Sequence, residues 1–147
     1  MLVERLLPVA HERLIAINED AAVIEAAGHL SAPHTYLLVV CDRAGKAVGV
    51  ISKLDVVKHI SGCSGFACTI AVSAVMTRNV ISCSPNHWLR DVWGVMKDRY
   101  LHCIPVLGTD MKPLGTLYAR DVLQALLTEV EDEEVLLRDY VMSVGFH

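Results

Sequence analysis

Apolar residues follow two different periods along the chain. Residues 14–17, 36–41, 47–52, 80–83, 103–107 and 114–118 are short, dense runs of Val, Ile, Leu and Cys flanked by polar residues or glycine, which predicts buried β-strands. Residues 21–30, 53–60, 87–99 and the stretch from Ala119 onward space their apolar positions three and four apart, which predicts amphipathic helices. Asn18, Glu19 and Asp20 supply a cap and an acidic first turn for the first helix, and Ser84-Pro85 start the third. Asp42-Arg43-Ala44-Gly45 is the hairpin turn between two predicted strands.

The order strand, helix, strand, turn, strand, helix occurs twice. An offset of 66 positions aligns 15–60 with 81–126 without a gap, matching Ile15 with Ile81, Gly28 with Gly94, Val40 with Val106, Gly49 with Gly115 and Asp55 with Asp121. That is the mark of an internal duplication. A repeat of this length with one exposed apolar sheet face is marginal alone, so the copies are expected to pack sheet against sheet about a pseudo-two-fold axis. Such packing makes two equivalent clefts. The expected fold class is α+β (mixed α/β): β-α-β-β-α repeats over 7–61 and 73–128, a linker over 62–72, and an acidic, amphipathic C-terminal helix over 129–147 that covers the core or a dimer seam.

Composition narrows the function classes. The 147 residues carry a formal charge of −4, which removes the footprint of a protein that binds nucleic acid through phosphates. No apolar run approaches the roughly 20 residues of a membrane span, and Glu4, Arg5, His11, Glu12 and Arg13 stand where a signal peptide needs its apolar stretch, so a cytoplasmic protein with no membrane contact is expected. The chain is 53% hydrophobic but only 5% aromatic, more aliphatic surface than one interior needs, which points to a homodimer. Of five cysteines, Cys41, Cys83 and Cys103 fall in apolar runs and read as small core hydrophobes.

The repeated positions carry the candidate chemistry. In the first copy Gly49 begins a Gly-x-x-Ser-x-x-Asp segment in which Ser52 and Asp55 form a capping box at a helix start. In the second copy Tyr118 takes the serine's place while Asp121 stays, so capping reciprocity does not account for that aspartate, although a helix start still favours it. The alternative is that each aspartate faces a cleft between the copies and accepts two hydrogen bonds from a vicinal diol such as ribose. Lys53, Arg78, Arg99 and Arg120 add positive charge for an anionic phosphate, and Tyr118 narrows its pocket, stacks on a base or packs within its strand. His34 and His102, each just ahead of a strand, are structural imidazoles or phosphate neighbours at a cleft rim.

With this motif, the duplication, the segment Val75-Met76-Thr77-Arg78-Asn79-Val80 and the run Ile104-Pro105-Val106, the chain resembles a tandem cystathionine-β-synthase (CBS) domain pair, or Bateman module, of the stand-alone bacterial type, from about Leu7 to Leu127. The resemblance implies a non-catalytic regulatory homodimer that binds AMP, ADP or ATP, with S-adenosylmethionine and NAD as further adenosyl ligands, and signals occupancy to a separate effector protein. It places Asp55 and Ser52 in one site and Asp121, Tyr118 and Arg120 in the other, with Leu38, Val80, His102, Ile104 and Pro105 against base or sugar. Val39 stands where the second copy has Pro105, and Leu54 where it has Arg120, so the sites are expected to differ.

Other chemistries find little support. His11-Glu12 lacks the second histidine of a zinc-protease motif because Ile15 stands there, Gly62-Cys63-Ser64-Gly65 lacks the spacing of a nucleophile elbow, and no Gly-rich phosphate loop occurs. No catalytic residue, catalytic cofactor or metal is therefore expected. Two alternatives stay open: a ligand-free dimerisation or adaptor module, and a thiol redox or metal-binding protein using His59, Cys63 and Cys68, with Cys83 nearby. Trp88 and Trp93 fall on one predicted helix, one expected toward the core and the other toward an interface.

Overall fold

The computed structural model describes residues 1–62 and 69–145. A 3-10 turn (Val3–Leu6) leads into α1 (Leu7–Arg13), β1 (Ala16–Asn18), α2 (Val23–Leu30), β2 (Leu37–Cys41), β3 (Ala47–Ser52) and α3 (Lys53–Gly62). After a second 3-10 turn (Val72–Ala74) come α4 (Leu89–Asp98), β4 (Cys103–Leu107), β5 (Pro113–Tyr118) and α5 (Ala119–Gly145). β1 pairs in parallel with β2, placing Ile17 opposite Val40, and β2 pairs antiparallel with β3, placing Leu38 opposite Ile51. In the second repeat β4 and β5 form the same hairpin, with Ile104 opposite Leu117.

The predicted strand over 80–83 does not form. Only one parallel bridge is made there, Cys83 to Val106, which is the Ile17 to Val40 pair displaced by one repeat. In the first repeat the Val39 N–H donates to the Ile15 carbonyl beside β1, whereas its equivalent Pro105 has no N–H to offer Ile81 and the Val80 N–H turns back onto the Arg78 carbonyl, so the run pairs only at Cys83.

Helix starts also differ from expectation. α2 and α4 begin two residues late, after Ala22 and Trp88, neither of which supplies a side-chain cap. Asn18 Oδ1 instead accepts the Asp20 N–H, and Ser84 closes a turn with His87. The Asn18 side chain satisfies a turn ahead of its helix, the competing use of a cap-type residue, whereas the turn at Ser84 is closed by that residue's backbone and the His87 ring. The helix from Ala119 and the terminal helix are one continuous α5.

The duplication is written in the backbone as well. His34 (φ 69°) and Tyr100 (φ 55°) are equivalent positions, as are Gly45 (φ 85°) and Met111 (φ 65°). A left-handed residue with a Cβ costs about 1–2 kcal/mol, so the shared turn geometry overrides local preference in both copies.

Each repeat has its own core, and each core contains a segment that precedes the other repeat. Val72 and Met76 are buried with Ile17, Leu38, Val40 and Ile51 of the first repeat. Val3 and Ala10 are buried with Leu89, Ile104, Val106 and Leu117 of the second. Two equivalent glycines admit these segments: a Cβ on Gly49 would lie 2.8 Å from the Thr77 carbonyl oxygen, and one on Gly115 would lie 2.7 Å from the Ala10 backbone. α1, which the strand and helix pattern did not predict, is the second repeat's counterpart of the segment around Val72–Ala74.

A third apolar layer lies between the sheets. Val39, Cys41, Val50, Thr116, Leu107 and Tyr118 are buried outside both cores, several of them alternating along their strands with core residues such as Leu38, Val40, Ile51 and Leu117. The repeats thus pack sheet to sheet. Tyr36 and His102, equivalent positions, stack on one another with ring centroids 5.7 Å apart, which puts the pseudo-two-fold axis between them. Trp93 packs against the second core, whereas Trp88 is exposed. Among the described residues no helix is long and apolar enough to cross a membrane.

Candidate functional site

The clefts flanking the inter-repeat layer collect equivalent residues but not equivalent chemistry. On the first side β3 runs directly into α3, so Ser52 stands at the helix start and Asp55 in its first turn. Asp55 Oδ2 accepts the Ser52 N–H at 3.0 Å and the Ser52 hydroxyl at 3.1 Å, while Ser52 Oγ accepts the Asp55 N–H at 3.3 Å. The capping box is complete. Asp55 nevertheless has a further partner, since Thr77 Oγ1 donates to Oδ1 at 3.1 Å.

Thr77 also lines an open pocket of about 150 Å³ together with Asn79, Val80, Ile104, Pro105 and Val50. A neighbouring groove of about 110 Å³ shares Val50, Val80 and Pro105 and adds Arg78. Apolar walls, a carboxylate held through a rim hydroxyl and a nearby guanidinium suit a ligand with a flat apolar part, a pair of hydroxyls and an anionic tail.

On the second side Asp121 occupies the same place at the start of α5, but a single charged partner takes both of its oxygens. Arg13 donates from Nε to Oδ2 at 3.0 Å and from Nη2 to Oδ1 at 3.2 Å. Both side chains are partly buried, at 26% and 19% exposure, so the bidentate pair is less screened than a surface one. The bonds to Asp121 raise the Arg13 pKa further. The guanidinium carbon lies 4.7 Å from the centre of the Tyr118 ring, within cation–π range.

Tyr118 donates its hydroxyl to the His34 carbonyl at 3.0 Å, and Tyr36 meets its ring edge-on at 5.3 Å. Burial is the main cause of its raised pKa. Beside it on the same face of β5, Thr116 is 1% exposed and its hydroxyl has no partner among the described residues. Val50 fills that position in the first repeat.

The structure thus gathers Val80, Ile104 and Pro105 in one pocket, with Arg78 in the adjoining groove and the Asp55–Ser52 box joined to the pocket through Thr77, while Asp121 and Tyr118 are joined through Arg13. His102 lies at the axis against Tyr36. Leu38 is fully buried in the first core, Lys53 lines a groove between α2 and α3 with Ala27 and Val57, and Arg120 and Arg99 are exposed. Arg13 and Tyr36 were not singled out in the sequence. Extending the repeat register two residues ahead of Ile15 finds the first, because Arg13 then falls opposite Asn79.

Cys83 and Cys103 are thiols pushed up to about 12 by burial, far from the range of a reactive thiolate at neutral pH. Among the described residues no group of three His, Cys, Asp or Glu side chains is placed to hold a metal, and Cys63 and Cys68 lie outside those residues.

The family model described as CBS domain matches this chain twice, over residues 5–62 and 72–128. A CBS-domain containing protein from Agrobacterium tumefaciens is 27% identical, with 84% of this chain and 92% of that chain covered and a TM-score of 0.71. A CBS domain pair crystallised with 5-methylthioadenosine and S-adenosyl-L-methionine is 22% identical over 88% of this chain and 98% of that one, also with a TM-score of 0.71. The cytosolic domain of the Mg2+ channel MgtE, crystallised with ATP, is 22% identical over 77% of this chain and 45% of that one, with a TM-score of 0.64.

Proposed function

The chain belongs to the CBS-domain family, with one domain in each repeat, and on that premise we propose that it is a non-catalytic regulatory module that binds an adenosine-containing ligand between its repeats and passes occupancy to a separate protein. The observation that carries this reading is the open cleft beside Asp55. Its carboxylate is tied to a cleft-lining hydroxyl, Thr77, that a ribose diol replaces at little cost, because one neutral hydroxyl gives way to two. The base then lies against Val80, Ile104 and Pro105, and Arg78 stands near enough to the groove to meet a phosphate. Relatives of the same fold crystallised with adenosyl ligands support the ligand class. AMP, ADP and ATP are the first candidates, and S-adenosylmethionine and NAD follow.

A titration of thermal stability against these five compounds tests the proposal. A ligand at 100 times its Kd raises the unfolding free energy by about 2.7 kcal/mol, a readily visible shift in midpoint. Asp55→Asn is expected to weaken binding by about 10- to 100-fold, since a hydrogen bond to a charged acceptor contributes about 1.5–3 kcal/mol. Unshifted midpoints with all five would favour the adaptor reading, in which Asp55 serves Ser52 and Thr77, Asp121 serves Arg13, and neither serves a ligand.

A further inference from the structure

We propose that Arg13 is a built-in occupant of the Asp121 carboxylate, so that the chain takes one adenosine-containing ligand, in the Asp55 cleft, and its pseudo-symmetric cleft stays closed. The proposal rests on the function proposed above and adds to it a stoichiometry and the residue that sets it.

The two aspartates are equivalent by position, so the difference between the clefts lies in what faces them. Among the described residues Asp55 meets only neutral donors: the Ser52 N–H and hydroxyl share Oδ2, and the Thr77 hydroxyl lies 3.1 Å from Oδ1 and 3.3 Å from Oδ2. Asp121 meets a guanidinium fork that fills both oxygens at once, the same two-point contact that a vicinal diol would make, with a full opposite charge added. A neutral diol entering here must displace the stronger partner.

Other contacts hold the fork in place. The Tyr118 ring lies against the guanidinium, its hydroxyl is anchored on the His34 carbonyl, and Tyr36 packs on its edge. The first cleft has Ser52 and Asn79 where these bulky groups stand. Arg13 is also the last residue of α1, and α1 is fixed by Ala10, 1% exposed and seated on Gly115 with no spare room. The arginine is therefore delivered by the core of the second repeat and not by a mobile tail.

Calorimetric titration of the full chain with AMP and with ATP tests the assignment, using Arg13→Gln, Asp55→Asn and Asp121→Asn. The wild type is expected to bind one equivalent, lost in Asp55→Asn and kept in Asp121→Asn. Arg13→Gln is expected to add a second event that Asp121→Asn in the same background removes. Arg13→Lys keeps the charge without the fork and serves if the glutamine variant folds poorly. Without ligand, Arg13→Gln and Asp121→Asn should each lower the thermal midpoint, and the double variant should fall no further than the worse single. Absence of any binding to the wild type overturns the function reading and leaves the melting series to decide the Arg13 pairing. Two equivalents bound by the wild type, loss of its binding in Asp121→Asn, or additive melting effects overturn the Arg13 assignment alone.

Discussion

Thr116 and Val50 differ by little more than a hydroxyl for a methyl, and that hydroxyl is buried without a partner among the described residues. An unsatisfied buried polar group costs about 1–3 kcal/mol, so Thr116→Val is expected to raise the unfolding free energy by about 1 kcal/mol in a urea titration. Gly115 predicts the opposite sign. A Cβ there meets the Ala10 backbone at 2.7 Å, and backbone cannot rotate aside, so Gly115→Ala should cost about 1–3 kcal/mol or more by overpacking. Two shielded thiols, Cys83 buried and Cys103 partly so, give a pH dependence. Folding raises Cys83 and Cys103 from an ordinary 9.0 to about 12, so above pH 9 the unfolded chain releases protons that the folded chain keeps. Stability from this source is complete below pH 9 and falls as pH rises toward 12. At pH 8 Cys83 should resist alkylation in the native protein and react once it is unfolded, as peptide mass spectrometry would read.

At the scale of elements, the hairpin strands were legible from sequence. Residues 47–52 and 103–107 form strands with the predicted ends because their apolar runs pair with a hairpin partner along their length. Residues 80–83 carry an apolar run too, but Pro105 stands in β4 where Val39 stands in β2 and cannot make the ladder bond that Val39 makes to Ile15, a difference that an apolar pattern does not register. The aspartates were found by their repeat spacing, whereas Arg13 was missed because it lies just outside the aligned register. α1 had a signal in Pro8, a residue suited to a helix's first turn. The N-terminal arm is a structural part of the second repeat: Leu89 donates its N–H to the Met1 carbonyl, Val3 bonds to the His87 carbonyl, and the Val3 side chain is fully buried. Val3→Ala is expected to lower stability by about 2 kcal/mol, the scale of losing a buried aliphatic group, measured by thermal or urea unfolding.

Across the whole molecule, the helices leave apolar side chains outside. Val57 on α3 and Leu123 on α5 are equivalent positions, 59% and 40% exposed, with Leu54, Ile60 and Leu127 near them on the same helices. For the homodimer expected of this module, Val57→Asp with Leu123→Asp should halve the mass seen by light scattering while circular dichroism stays unchanged. The exchange of preceding segments bears on how the chain folds. Met76 reaches Gly49 across 27 positions, whereas Ala10 must find Gly115 across 105. The second closure spans a loop about four times longer and costs about 1 kcal/mol more in chain entropy. The two halves therefore mature in a fixed order. During synthesis the first half can close as soon as Met76 has emerged, while the arm carrying Val3, Ala10 and Arg13 waits unplaced for a partner strand made near the end. Pulsed hydrogen exchange during refolding should show β2 and β3 protected before β5, although the two hairpins are copies of one design.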